Sequence, residues 1–131
     1  MRVLVTGSRE WPTTDWGISI IEYALDRLNE SGDDGVSLVI EGGASGADTI
    51  ARNWAMRDAV PLAEFPAPWK SRLGDAAGME RNKWMIRFGS PDIVLAFPGP
   101  KSRGTWGMVK LAEGWGIPVH VEKALIEKVP A

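Results

Sequence analysis

Val36-Ser37-Leu38-Val39-Ile40-Glu41-Gly42-Gly43-Ala44-Ser45-Gly46-Ala47-Asp48 (residues 36–48) joins an apolar run of strand length to a glycine turn, and the turn to a helical stripe at Ala47, Ile50, Ala51, Trp54 and Ala55. The run Val36–Glu41 is nearly all hydrophobic, as expected of a strand covered on both faces. Gly42 and Gly43 end it, Ser45 stands where a helix N-cap belongs, and Gly46 permits close approach of helix and strand. Strand, glycine turn and helix in this succession are one half of a β-α-β unit.

The alternation continues in both directions. Strand-length apolar runs recur at Arg2–Thr6, Pro61–Phe65, Asp92–Phe97 and Val119–Val121, each bounded by Gly, Pro or charged residues. Ile18, Ile21, Leu25 and Leu28 mark the first helix, and a third helix is expected from Asp75 to Phe88. It ends at Gly89, suited to a left-handed C-terminal residue, with Pro91 reinforcing the stop. Met108, Leu111, Ala112 and Trp115 mark the fourth, closed by Gly116 and Pro118. Residues 29–35 read as a solvent turn and 123–131 as a short helix or loose end.

Right-handed crossovers turn this pattern into a Rossmann-like three-layer α/β/α fold with about five parallel strands in the order 3-2-1-4-5. The 131 residues fit one domain, 1–131. At that length roughly two-thirds of the unfolded surface is buried on folding, and no second core is needed.

Composition narrows the partners. With 15 Lys and Arg against 17 Asp and Glu, the net charge of −2 gives no global attraction for nucleic acid or anionic membrane. No membrane or nucleic-acid partner is therefore expected, and any nucleic-acid role must be local. The absence of cysteine excludes disulfides, thiolate chemistry and cysteine metal sites. No metal and no cofactor is expected. The opening run, residues 1–6, is too short for a signal peptide or a membrane span, so a cytoplasmic setting is expected.

In an open parallel sheet ligands collect outside the carboxyl ends of the strands, where helix N-termini attract anions. The glycine turns at Gly7, Gly42–Gly46, Gly78 and Pro98–Gly104 all fall there, and together they predict one phosphate-binding crevice. Gly7 lets backbone approach a phosphate, Ser8 offers a hydroxyl and Arg9 a charged fork. The segment Val5–Trp11 lacks the second and third glycines of G-x-G-x-x-G, which argues against ordinary dinucleotide binding. Gly42, Gly43, Ser45 and Gly46 offer backbone N–H groups, with Asp48 favouring the helix dipole or bonding the loop.

Pro98 and Gly99 open a longer loop in which Gly104 and Thr105, at a helix start, make a second anion seat. It lacks the lysine of a P-loop, so triphosphate hydrolysis has little support. A helix terminus alone contributes about 0.3–1 kcal/mol toward an anion, so several donors must converge. Arg81 and Asn82 either reach across the crevice toward phosphate or sugar, or pair at the surface with Glu80 or Asp75. Trp11 and Trp69 sit in loops where they can stack a base, whereas Trp54, Trp84 and Trp115 have helical positions suited to core or interface. His120, alone on the last strand, receives no role.

Taken in order, Gly7-Ser8-Arg9-Glu10-Trp11, Gly42–Asp48, Met79-Glu80-Arg81-Asn82-Lys83-Trp84-Met85 and Phe97-Pro98-Gly99 with Gly104-Thr105 resemble the SLOG superfamily, in its small YspA-type branch, over nearly the whole chain. The resemblance implies a Rossmann-like domain for nucleotides or nucleotide-derived ligands. Its relatives include lonely-guy phosphoribohydrolases and the DNA-processing protein A domain, and they often self-associate, so a homo-oligomer is expected. In the phosphoribohydrolases a P-G-G-x-G-T-x-x-E segment ends in a catalytic Glu that works with the Arg of R-K-x-x-M. Arg81 and Met85 match the latter, Asn82 replaces its Lys, and Met108 stands where the catalytic Glu is expected.

A thioether cannot exchange protons or stabilise an oxocarbenium-like sugar. The expectation is therefore a sensor or binding module for a nucleotide or nucleotide-derived ligand. An N-glycosidic hydrolase, with Glu41, Asp48 or Glu80 as substitute acid, is the alternative, and single-stranded DNA binding is a third reading.

Overall fold

A computed structural model describes residues 1–32, 34–123 and 128–130. The elements are β1 (Arg2–Gly7), α1 (Asp15–Glu30), β2 (Leu38–Glu41), α2 (Ala47–Arg57), β3 (Leu62–Glu64), a 3₁₀ turn (Gly74–Ala76), α3 (Ala77–Gly89), β4 (Ile93–Phe97), α4 (Arg103–Gly114) and β5 (Val119–Val121). The five strands pair in parallel in the order β3-β2-β1-β4-β5. This is the expected Rossmann-like α/β arrangement.

The apolar continuity of β1 follows from having a core on each side. Val3 and Val5 join Ile21, Leu25, Ala51 and Trp54 of α1 and α2 on one face, while Leu4 joins Met85, Ile86, Met108 and Ala112 of α3 and α4 on the other. Each such buried Leu or Ile contributes about 1.5–3 kcal/mol relative to exposure. Trp54 is in the first core, with its indole N–H donated to Asp26 Oδ1 at 2.8 Å.

Local chemistry moves several boundaries. The Val36 amide is taken by Asn29 Oδ1 at 3.0 Å, and β2 begins at Leu38. The left-handed residue after α3 is Ser90 (φ 49°, ψ 58°), not Gly89. Gly89 is needed for packing: a Cβ there would lie 3.0 Å from Ile40 Cδ1. Of the expected tail element, residues 124–127 and 131 lie outside the described residues, while Val129 is buried in the first core.

β1, β2, β3 and β4 end at Gly7, Glu41, Glu64 and Phe97, so the loops that follow them share one edge of the sheet.

Candidate functional site

At that edge lies a cavity of about 960 Å³. Among the described residues, Arg9, Arg81, Lys83, Lys101, Arg103 and Lys110 line it against only Glu10 and Asp48 on the acidic side. A chain of net charge −2 thus concentrates its cations here. Of the expected site residues, Gly7, Ser8, Arg9, Asp48, Arg81, Asn82, Gly104 and Thr105 line the cavity. Gly42, Gly43, Ser45, Gly46, Pro98 and Gly99 do not, and their contacts explain why.

The loop after β2 bonds several of its amides within the fold. Asp48 Oδ2 accepts from Gly42 N–H at 3.0 Å and Ala44 N–H at 3.3 Å, Glu41 Oε2 accepts from Gly43 N–H at 2.6 Å, and Ala47 N–H donates to Ser8 O at 3.2 Å. Of the expected phosphate donors, the Gly42 and Gly43 amides are thus engaged by Asp48 and Glu41. Ser45 does not cap α2; its hydroxyl donates to Arg9 O at 3.2 Å, and Gly46 is the N-cap residue. Gly46 has φ 73°, and a Cβ there would strike the carbonyl oxygens of Ser8 and Arg9, so only glycine lets the turn dock on the loop after β1.

Arg81 is built into this turn. Its Nη1 donates to Gly42 O at 2.7 Å and to Phe65 O at 3.3 Å, and its Nε donates to Asn82 Oδ1 at 3.1 Å. Asn82 Nδ2 in turn donates to Gly104 O at 3.2 Å, so α3 ties the loops after β2 and β3 to the start of α4. Glu80, one of the two partners expected for Arg81, pairs instead with Lys83 at 3.3 Å, and the side chain of Asp75, the other, lies outside the described residues. Burial lowers the Arg81 pKa against the opposing attraction of Asp48. Burial raises that of Asp48, while the Ala44 amide, Arg81, the Gly42 amide and Arg9 favour its charged form.

The loop after β4 leaves donors available. Ser102 is the N-cap of α4, but its Oγ accepts from Gly99 N–H at 2.7 Å and makes no bond to the helix. The first-turn amides of Gly104 and Thr105, residues that both line the cavity, are therefore not covered by the cap. Pro98 and Gly99 lie buried beneath, with Gly99 packed against Ser8 and Val129.

The tryptophans separate. Trp11 is a core residue: its Nε1 donates to Gly17 O at 2.8 Å and its ring meets Phe97 edge-on at 5.5 Å. It is closed to a base. Trp69 lines the cavity and is partly exposed. Trp115 is exposed and Trp84 half-buried.

Met108 is fully buried in the second core and does not line the cavity. Of the substitute carboxylates only Asp48 reaches it; Glu41 is completely buried beside Glu64, and Glu80 sits at the surface. Sequence reading missed Lys83 and Lys110, whose signal was helical spacing from Met79 and from Arg103–Gly107. It also missed the Glu41–Glu64 pair, which strand register alone creates.

Among the described residues no helix is long and apolar enough to cross a membrane. The DNA processing protein A of Streptococcus pneumoniae, an X-ray structure, matches with a TM-score of 0.73 over 98% of this chain and 52% of that one, at 16% identity. The likeness is one of fold, and the chain spans about half of that protein, 52%. Gene 61 protein of Mycobacterium phage D29 is 42% identical over 125 residues, covering 90% of this chain and 93% of that protein. Residues 1–71 match the YspA, cpYpsA-related SLOG family. With the parallel sheet and its glycine-marked edge, these matches lead to one assignment: the chain belongs to the YspA, cpYpsA-related SLOG family.

Proposed function

We propose that the protein binds a nucleotide or nucleotide-derived ligand and acts as a sensor or binding module. One observation carries the reading: six cationic side chains and the uncovered amides at the start of α4 surround one cavity at the carboxyl edge of the sheet. The phosphate sits against Gly104 and Thr105, with Arg9 and Arg103 supplying charge-assisted donors. The volume of about 960 Å³ suits a small organic ligand. Exposed Phe88 and Trp115 at the ends of α3 and α4 support self-association, which sedimentation tests by mass.

A thermal-shift panel of nucleoside mono-, di- and triphosphates, ADP-ribose, NAD and cyclic dinucleotides tests the reading. A ligand at about 100 times its dissociation constant adds roughly 2.7 kcal/mol, enough to raise the melting midpoint by several degrees. A flat response across the panel overturns the proposal.

A second reading, N-glycosidic hydrolysis, is favoured by Asp48, a buried carboxylate lining the cavity. Release of free base and sugar phosphate from a hit would establish it; intact ligand after long incubation would eliminate it. The DNA-processing name of the solved neighbour favours a third, single-stranded DNA, for which affinity falls steeply with added salt.

A further inference from the structure

Trp69 lines the cavity yet leaves 48% of its surface open, although an indole gains most from burial. Its loop leaves β3 at the edge of the sheet and returns across β2 to the loop after β1. There the Arg9 guanidinium lies 5.2 Å from the centre of an indole ring. The ring also rests on the start of α3: a Cβ on Gly78 would come within 3.0 Å of Trp69 Cη2.

The hydrogen bonds of residues 67–74 are local. Trp69 N–H donates to Ala67 O, Ser71 N–H and Oγ–H to Pro68 O, and Leu73 N–H to Ser71 Oγ. An aromatic face is thus presented to a cation-rich cavity by a segment whose own bonds are local. Arg9 covers it by cation–π attraction. A phosphate offers Arg9 a stronger, bidentate partner. The planar guanidinium stands where a planar base would stack.

We propose that Trp69 is the specificity-determining residue of this cavity: it stacks the base of the ligand in the place Arg9 covers, and so selects ring-bearing phosphates over bare sugar phosphates. The inference rests on the reading of the cavity as a nucleotide site. Arg9 moves from ring to phosphate as the ligand enters. Every base has a π-face, so Trp69 selects for the presence of a ring and discriminates little among bases.

The test is calorimetric binding of adenosine, guanosine, cytidine and uridine 5′-monophosphates and of ribose 5-phosphate to wild type, Trp69→Ala and Trp69→Phe. Trp69→Ala is expected to lose about 5- to 150-fold in nucleotide affinity while ribose 5-phosphate changes less than about twofold, and Trp69→Phe to retain most of the affinity. Equal losses for both ligand classes, no loss for nucleotides, or wild-type protein that prefers ribose 5-phosphate overturns the role of Trp69 and leaves the phosphate site standing. Wild-type protein that binds neither class overturns the nucleotide site and this inference with it. An unchanged melting midpoint in both variants separates lost stacking from lost fold.

Discussion

Glu41 and Glu64 are register partners on β2 and β3, and their carboxyl groups converge on Gly43. Glu41 Oε2 accepts the Gly43 N–H at 2.6 Å, and a Cβ on Gly43 would lie 3.1 Å from Glu64 Oε1. Among the described residues Glu41 Oε1 is buried without a hydrogen-bond donor, whereas Glu64 is partly exposed and holds Arg52 at 3.6 Å. Two ionised carboxylates cannot share this space cheaply, but a proton between them satisfies both. Burial, then the hydrogen bond to Glu64, pushes Glu41 up to about 8.

Stability is therefore expected to depend on pH with a definite sign. The folded chain keeps a proton on Glu41 that the unfolded chain releases near 4.5, so stability falls as pH rises from about 4.5 to about 8 and levels off above. Glu41→Gln keeps an acceptor for Gly43, donates to Glu64 and removes the titration. It is expected to flatten that slope and to gain about 1–3 kcal/mol at pH 8. Urea denaturation from pH 4.5 to 9 checks this, and an unaltered slope in the variant would exclude Glu41 as its source.

Arg81→Ala is expected to cost about 1.5–3 kcal/mol, because its Nη1 holds the carbonyls of Gly42 and Phe65 while its Nε holds Asn82 Oδ1. Lysine cannot reproduce the planar fork, so Arg81→Lys recovers little of the loss. Phosphate-bearing ligands weaken more than matching nucleosides in both variants. Chemical denaturation and titration calorimetry read the two effects separately; equal loss for nucleosides and nucleotides assigns Arg81 a purely structural role.

Gly104→Val leaves the fold intact, since a Cβ at Gly104 meets nothing within 4 Å. The branched side chain crowds the first-turn amides of α4 that face the cavity. Loss of at least about tenfold in phosphate-ligand affinity, about 1.4 kcal/mol, is expected at an unchanged melting midpoint. Wild-type affinity in this variant would move the anion seat elsewhere.

Gly46→Ala forces a Cβ into the carbonyl oxygens of Ser8 and Arg9 at a residue with φ 73°. Backbone strain alone costs about 1–3 kcal/mol. A lower urea midpoint with unchanged slope is the expected result. A midpoint equal to wild type would mean that the turn and the loop after β1 separate freely.

The helix and strand succession is legible because each element carries its own periodicity. Val3, Leu4 and Val5 announce a strand covered on both sides, and Met108 and Ala112 share one face of α4, whatever the rest of the chain does. The place of the cavity is legible for the same reason: Arg9, Gly104 and Thr105 follow strand ends in any parallel arrangement, and Arg81 lies in the first turns of the helix after β3. Trp11 and Trp69 look alike in sequence, since both lie in loops. One bond to Gly17 O and one ring contact with Phe97 bury the first, and both depend on how α1 and β4 pack.

By itself the sequence determined the parallel order and the edge at which loops gather, with Arg9 and Arg81 among its cations, because periodicity and chain connectivity are local properties. Only the tertiary structure decided that Gly42, Gly43 and Ala44 bond to Asp48 and Glu41, and that Glu41 meets Glu64. A backbone amide is spent or spare according to which acceptor the packed chain brings within about 3 Å, and that acceptor can come from any strand or helix in the fold.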